Sequence, residues 1–511
     1  MQSFFEWFEA KGFAPNQPWL ILGKGPSFAK RKEHDLRRYH IMSLNHVVRE
    51  QAVTVAHVID YDVVDACGET ILTNTQYLVL PWIPHVNNRP GRRNLEEFAR
   101  MNTVLRKLNE QGRLLWYNHS LTRERRGDSP VVRVRFFSTE AALNLLAQAG
   151  VRKIRSLGVD GGAAYSQDFG DLKDKTLLAN GRKSFDEQFE EIAKIIMTTG
   201  IDYAPLDVGS PIRVYVGATE AQMLPVKVLE YSIRKRASMS VEVFPLHLSG
   251  IEIPTPRDPK NRPRTPFSFQ RFLIPFLSGY RGRAIYLDSD MQVFKDVRTL
   301  WTLPLNGADL LTTRTPEVPC YRPQFSVMLL NCDSLRWDID QIIAALNKGQ
   351  MNYEQLMFEM AVAENISFDI DETWNSLEMF SERKTALLHF TDMDTQPWVS
   401  RKNPLSYLWT RDLFEAIDAG VISFDFVKQH VRQDYLRPSL LYQVEHRIED
   451  SFLLPREARS LDKDFIPPHR TVPSHEGSQW LHPAKLLRAA LRHQRTRMLR
   501  FQRGLPHWFS R

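Results

Sequence analysis

Short apolar runs, each closed by turn residues, alternate with amphipathic stretches along the first part of the chain. The run Trp19-Leu20-Ile21-Leu22 enters the glycine-rich turn Gly23-Lys24-Gly25-Pro26-Ser27, and similar runs at residues 41–44, 53–59, 77–80 and 131–137 read as strands. Ser138 and Thr139 then cap an alanine- and leucine-rich helix over residues 140–149, followed by a strand at 153–159 and the turn Asp160-Gly161-Gly162. A helix at 184–199 leads to the polar, proline-containing stretch 200–211. Strands alternating with helices predict a parallel, doubly wound sheet, with ligands outside the carboxyl ends of its strands.

The pattern then restarts. A strand at 212–217, a helix at 225–236 and a strand at 241–246 precede a proline-rich basic loop at 254–266 and an aromatic helix at 267–280. Next comes Arg283-Ala284-Ile285-Tyr286-Leu287-Asp288-Ser289-Asp290, an apolar run that stops on two carboxylates one residue apart. A strand at 325–331, helices at 339–346 and 353–363, and a histidine-bearing strand at 386–390 complete the second half. The expected organisation is α/β with two Rossmann-like nucleotide-binding domains, at residues 1–200 and 201–475, and a basic helical tail at 476–511.

Composition narrows the class. At 511 residues, with 43% hydrophobic and 25% charged residues, the chain reads as a soluble globular protein of more than one domain. No run of eighteen apolar residues is present, and the opening Met1-Gln2-Ser3-Phe4-Phe5-Glu6-Trp7-Phe8-Glu9 carries acids where a secretory signal carries bases, so a cytoplasmic location is expected. Cys67, Cys320 and Cys332 have no metal-ligand spacing and cannot all pair, which fits a reducing compartment. The net charge of +7 is concentrated: residues 477–511 hold eight Lys or Arg and no acid, leaving −1 for the rest. A near-neutral body argues against a nucleic-acid partner. In the tail, Leu487, Leu491, Met498 and Phe501 fall roughly on one helical stripe among Lys485, Arg488, Arg492, Arg495, Arg497 and Arg500, a pattern suited to an anionic membrane surface.

Two motifs carry candidate chemistry. A buried strand ending in Asp288-Ser289-Asp290 holds two hard oxygen ligands at a sheet edge, where Mg or Mn would bridge to a substrate diphosphate; the same string also reads as a strand running into an Asp-rich turn. The glycine-rich turn at Gly23, Lys24 and Gly25 would let backbone N–H groups approach a phosphate.

Several segments follow one another in a telling order: Arg213-Val214-Tyr215-Val216-Gly217, Phe269-Gln270-Arg271-Phe272-Leu273-Ile274-Pro275, Tyr286-Leu287-Asp288-Ser289-Asp290, Phe325-Ser326-Val327-Met328-Leu329-Leu330-Asn331, Trp374-Asn375 and His389 to Trp398. Over about residues 211–400 this resembles the family-8 glycosyltransferases, retaining enzymes that include glycogenin and bacterial lipopolysaccharide galactosyl- and glucosyltransferases. The resemblance implies a GT-A fold and resolves the Asp-x-Asp string as a metal motif, with Asp288, Asp290 and His389 holding Mn or Mg. It implies donor contacts from Val216, Gly217, Thr219, Gln222, Arg271, Asp288, Ser289 and Gln396, and places Glu354, Gln355 and Gln324 nearest the reacting sugar. Three departures stand out. Residues 353–356 lack the usual Asp-Gln-Asp string, residues 218–222 lack the Asp and Tyr that flank uracil, and Gln396 replaces a phosphate-binding lysine, offering a hydrogen bond but no charge.

In the first half, Gly23-Lys24-Gly25-Pro26-Ser27, Ser43-Leu44-Asn45, Ser138-Thr139 and Gly158-Val159-Asp160-Gly161-Gly162 resemble the family-42 sialyltransferases and the related motility-accessory and pterin-pyrophosphokinase-like proteins. That implies a nucleotide site built from Gly23, Lys24, Gly25, Ser27, Asn45 and Ser138, with Lys24 in place of the usual asparagine. His85 is the candidate base, although alone it reads as a structural histidine. The expectation is a metal-dependent retaining hexosyltransferase using a nucleotide sugar, with UDP as the expected nucleotide, on a glycan or glycolipid acceptor in surface polysaccharide or lipopolysaccharide synthesis. It would sit on the inner face of the plasma membrane through its tail. The alternatives are a bifunctional enzyme with a CMP-sugar transferase in the first half, and a nucleotide-sugar-binding scaffold without turnover.

Overall fold

The computed structural model describes residues 1–172, 184–209, 211–314 and 325–471; Cys320, Gln324 and the basic tail lie outside the described residues. The chain forms two compact units, one of Met1–Ile212 with Lys235–Val241, the other of Arg213–Arg234 with Glu242–Arg511. Both are α/β. Among the described residues no helix is long and apolar enough to cross a membrane.

In the first unit, strands Gln2–Ser3, Leu114–His119, Thr75–Pro81, Val53–His57, His40–Leu44, Trp19–Leu22, Lys153–Leu157 and Asp202–Pro205 lie side by side in that order, with Val131–Val132 paired to Leu114–His119. The ladder is parallel. Alternate residues feed opposite faces: Leu20, Leu22, Leu78 and Leu80 enter one apolar cluster, Trp19, Ile21 and Val79 another. A sheet buried on both faces requires strands that are apolar throughout, which is why these runs do not alternate with polar residues. The order reverses between Trp19–Leu22 and Lys153–Leu157, so the turns after these two strands flank the topological switch point.

The first unit departs from the sequence reading at four places. The run at 131–137 supplies only the short strand Val131–Val132, while the fully buried Leu114–His119 takes the sheet position. Ser138 and Thr139 do not cap their helix: it spans Ser138–Gln148, and its N-cap is Phe137, with no side-chain cap. Instead, Glu140 Oε2 accepts from Arg135 N (2.6 Å) and Phe136 N (2.9 Å), just ahead of the helix. Asp202–Pro205, inside the stretch read as a boundary, is the edge strand.

The second unit has a six-stranded sheet in the order Val241–Pro245, Ile212–Gly217, Arg283–Asp288, Val327–Asn331, Leu310–Thr313, Ile366–Ile370. Val327–Asn331 runs antiparallel to both neighbours. A small sheet of Met291–Val293, Leu387–His389 and Ser376–Leu377 begins directly after the Asp-x-Asp string. The aromatic helix expected at 267–280 is only a 3₁₀ turn, Gln270–Leu273, and one α-turn, Ile274–Leu277, closed by Gly279 and Tyr280 at positive φ. The helix beginning at Tyr353 stops at Phe358, ahead of Met360 at φ 51°.

Candidate functional site

Backbone pairing assembles one polar cluster in the second unit. Asp288 ends its strand opposite Gly217, and the next strand pairs Met291 with His389, while Phe390 N donates to Asp290 O (2.8 Å). These antiparallel contacts bring a histidine from far along the chain beside both carboxylates. Asp288, Asp290 and His389 each offer one ligand atom, all within 4.8 Å of one another.

Each of the three side chains is also held by a hydrogen bond to a neighbouring side chain. The Tyr286 hydroxyl donates to Asp288 Oδ1 (2.6 Å), Gln396 Nε2 donates to Asp290 Oδ2 (2.9 Å), and His389 Nδ1 lies 2.9 Å from Asn375 Oδ1. A carboxamide oxygen only accepts, so Nδ1 carries a proton, and in the neutral ring Nε2 is then the nitrogen with the lone pair. Asp290 Oδ1 sits 3.1 Å from that Nε2, an ion-pair contact when the ring is protonated. Two electron-pair donors roughly 3 Å apart have the spacing that adjacent ligands of a cation bound at about 2.1 Å would need. Outer bonds that orient inner ligands are the usual support of a metal site.

The electrostatics agree. Burial pushes the Asp288 carboxyl above its ordinary range, partly opposed by the neighbouring Arg271 guanidinium. Burial pulls the His389 imidazole down, but Asp290, with Asp288 and Glu378 behind it, more than offsets this and leaves it raised. Burial also holds the Tyr286 phenol well above its usual value, so its hydroxyl remains a donor. Crowded buried carboxylates that draw in a proton or a cation are what a divalent ion would stabilise.

The other candidates in this unit divide by task. Arg271 is 4% exposed; its Nε and Nη1 donate to the carbonyls of Ser268 (3.1 Å) and Phe325 (3.0 Å), Nη2 lies 3.6 Å from Asp288 Oδ1, and the guanidinium stacks 4.6 Å from the Tyr286 ring centre. Val216 is a buried strand residue, and a Cβ at Gly217 would run into the Tyr286 hydroxyl, so glycine here lets Tyr286 reach Asp288. Thr219 and Gln222 close a capping box on each other. Ser289 is fully buried with Oγ unpartnered among the described residues, and Gln396 bonds Asp290 and the Phe390 carbonyl. Gln355 caps its own helix through Asn352, and Glu354 is exposed, 3.6 Å from Arg264. Gln324 lies outside the described residues.

In the first unit, Gly23, Lys24, Gly25, Asn45, Ser138 and His85 all line one cavity of about 320 Å³ at the switch point. The N–H groups of Gly23, Gly25 and Ser27, expected to face a phosphate, are engaged within the protein. Gly23 N and Gly25 N donate to Leu157 O (2.8 Å) and Gly158 O (2.9 Å), and Ser27 N donates to Asp160 Oδ2 (2.7 Å). These glycines are needed because the two turns touch: a Cβ on Gly23 or on Gly158 would meet the other residue's carbonyl oxygen. Ser27 Oγ bonds Asp160 Oδ1 (2.8 Å) and receives Gly158 N (2.7 Å), which makes it a structural strut. Asn45, at φ 51°, donates from Nδ2 to Ser138 Oγ (3.1 Å). Burial lowers Lys24 to about 8 and His85 to about 4.

Sequence reasoning assigned no site role to Tyr286 or, in the cavity, to Asp60 and His119, and it named Asn375 only as part of the Trp374-Asn375 motif, without its bond to His389. Tyr286 was accessible, since i and i+2 on a strand share a face. Asn375 carried no local signal beyond its place after Trp374.

No protein-family profile matches the chain. A curated protein, "Protein CDI" of Arabidopsis thaliana, is 36% identical over 95 residues, or 18% of this chain and 37% of that protein, so the chain spans little more than a third of this relative's length. Partly similar solved structures include the galactosyltransferase LgtC in complex with donor and acceptor sugar analogs (14% identity, 42% of this chain, 96% of that chain, TM-score 0.28). The glycosyltransferase GlyE of Streptococcus pneumoniae TIGR4 is another (16%, 41%, 65%, TM-score 0.28), as is the WbbM bifunctional glycosyltransferase (11%, 54%, 56%, TM-score 0.30). At these scores the likeness is partial, and the reading of the site rests on its own geometry.

Proposed function

We propose that the second unit is a GT-A, metal-dependent, retaining glycosyltransferase that moves a hexose from a nucleotide sugar, with UDP the favoured nucleotide, to a glycan acceptor. The observation that supports it is the Asp288, Asp290 and His389 cluster, whose candidate ligand atoms lie within 4.8 Å of one another. Two carboxylates and one imidazole fit Mn or Mg. Such an ion would supply Lewis-acid neutralisation of the departing diphosphate.

The chain's own residues prepare that charge balance. Tyr286 and Gln396 fix the carboxylate planes, and Asn375 fixes the histidine tautomer. Arg271, pinned by two carbonyls, sets a permanent positive charge beside Asp288. A preorganised cation costs no reorganisation when negative charge develops on a leaving group.

The test is turnover of UDP-hexoses in the presence of Mn. Asp288→Ala and Asp290→Ala are expected to abolish metal-dependent donor hydrolysis or transfer, and unchanged turnover would overturn the assignment. Asn375→Leu should weaken Mn binding by about 10- to 100-fold, as loss of an orienting partner does, with little change in melting temperature. Metal-dependent nucleotide-sugar binding without product would instead identify the scaffold alternative.

A further inference from the structure

Past residue 400 the second unit adds the helices Ser406–Asp418, Phe424–Arg432 and Ser439–Glu445, none of which supplies a ligand atom to the metal cluster. Just ahead of the last of them stands Arg437, fully buried. Its side-chain hydrogen bonds among the described residues all go to uncharged acceptors: Nε donates to Pro397 O (3.0 Å), Nη1 to Ser439 Oγ and Nη2 to Gln443 Oε1. The carboxylate behind them, Asp462, is met one step away, accepting from Ser439 N (2.8 Å) and Ser439 Oγ (2.6 Å). Burial lowers the guanidinium only to about 10, so it is positive at neutral pH.

Taking a cation out of water is strongly unfavourable, and a buried charge without a directly paired carboxylate adds little stability that an apolar side chain of similar volume would not. The direction in which Arg437 is aimed gives it another use. While Nε holds the Pro397 carbonyl, Arg437 N donates to Trp398 O (2.9 Å), so one residue grips two successive carbonyls. Both belong to the segment that directly follows Gln396.

That segment has no regular ladder to fix it, since residues 396–398 lie in neither a helix nor a strand. Gln396 nevertheless reaches the metal cluster with both bonds of its carboxamide nitrogen made, to Asp290 Oδ2 (2.9 Å) and Phe390 O (3.0 Å). Its own carbonyl accepts from Val399 N (3.0 Å) and Ser400 N (2.9 Å), and Trp398 packs between Phe390 and Trp409, ring centres 6.2 and 5.5 Å away. Proline at 397 fixes one more dihedral. With the next two carbonyls held by Arg437, little freedom remains to the backbone that carries Gln396.

We propose that Arg437 is a positioning residue of the metal site: by holding the Pro397 and Trp398 carbonyls it sets the Gln396 carboxamide against Asp290. Arg437 acts through Gln396 and not on a substrate. The inference rests on the metal reading of the second unit and carries that site into helices beyond residues 211–400, the stretch over which the sequence resembles family-8 enzymes. Orientation of a ligand by partners outside it is what such a residue would contribute.

The experiment titrates Mn alone into the full chain by calorimetry, well below the melting temperature of each variant. Arg437→Met, which keeps similar volume without charge or donors, should weaken Mn binding by at least about threefold. Arg437→Lys keeps the charge but cannot reach all three acceptors at once, so its affinity should fall between those of Arg437→Met and the unaltered chain. Gln396→Leu should weaken Mn binding at least as much as Arg437→Met, and the two changes together no more than Gln396→Leu alone. An arginine that serves only the fold would lower the melting temperature and leave Mn affinity intact, or would give losses that add to those of Gln396→Leu; either result overturns the proposal. If Arg437→Met does not fold, Arg437→Lys carries the same cycle, and unchanged Mn affinity in it overturns the proposal. Asp290→Ala separates the two levels: Mn binding lost there but intact in Arg437→Met removes the positioning role alone, whereas Mn binding that survives Asp290→Ala, or is absent from the unaltered chain, overturns the metal reading and this inference with it.

Discussion

Single side chains in this protein act mainly by constraining one another. Tyr286 can reach Asp288 because Gly217 has no side chain, and His389 presents Nε2 because Asn375 takes Nδ1. Asp60 in the first-unit cavity is constrained by burial, which raises its carboxyl from 3.8 to about 6, while Asn88 N donates to Oδ1 (2.8 Å). The folded form therefore keeps a proton that the unfolded chain releases between these values. Its protonated form favours folding at low pH, and stability falls as pH rises from about 4 to about 6, then stays level. The span corresponds to roughly 3 kcal/mol at most. Asp60→Asn keeps an acceptor for Asn88 and removes the titration. Urea unfolding at several pH values should show this fall flattened in the variant, and an identical pH profile in both proteins would refute the assignment.

At the scale of elements, the join between the two turns of the first unit determines the switch point. Gly158 sits at φ 71°, and an added Cβ would meet the Gly23 carbonyl. Gly200, the C-cap of helix Gln188–Thr199 at φ 66°, has nothing within 4 Å of such a Cβ. Gly200→Ala should cost only the left-handed backbone penalty, about 1–2 kcal/mol, and Gly158→Ala clearly more, because the turns must separate. Equal denaturant midpoints for the two variants would show that the turns are free to move apart. These elements also show how much the sequence disclosed. Arg283–Asp288 was legible because its apolar run ends abruptly on charge, and so were most strands of the first sheet. Leu114–His119 was not, since Leu114-Leu115-Trp116-Tyr117 is too short for periodicity to separate strand from helix. The segment at 267–280 read as a helix from its apolar content, yet Tyr280 adopts positive φ and the chain is spent on short turns that place Arg271 beside Tyr286. The Asp-x-Asp pair could be read locally, whereas Asn375 and Gln396 gain their roles only through pairing of distant segments.

For the whole molecule, the uneven distribution of charge carries the remaining prediction. The chain is +7 overall, yet residues 477–511 hold eight basic residues and no acid, so the remainder is −1. The near-neutral remainder and the basic tail thus differ in their attraction to an anionic bilayer. A basic residue near such a surface contributes about 1 kcal/mol, so even half of the tail's charges would hold the protein to anionic lipid at low salt. The attraction would fade as the Debye length shortens from about 10 Å at 0.1 M salt toward about 3 Å at 1 M. We therefore expect the full chain to sediment with phosphatidylserine-containing vesicles at low ionic strength and to be released by salt. It should ignore neutral vesicles, and a chain ending at residue 476 should stay in the supernatant throughout. Retention at high salt would shift the attachment from charge to the apolar residues Leu487, Leu491, Met498 and Phe501. Equal sedimentation of both forms would place any membrane contact in the near-neutral body and remove the tail from the account of where this protein works.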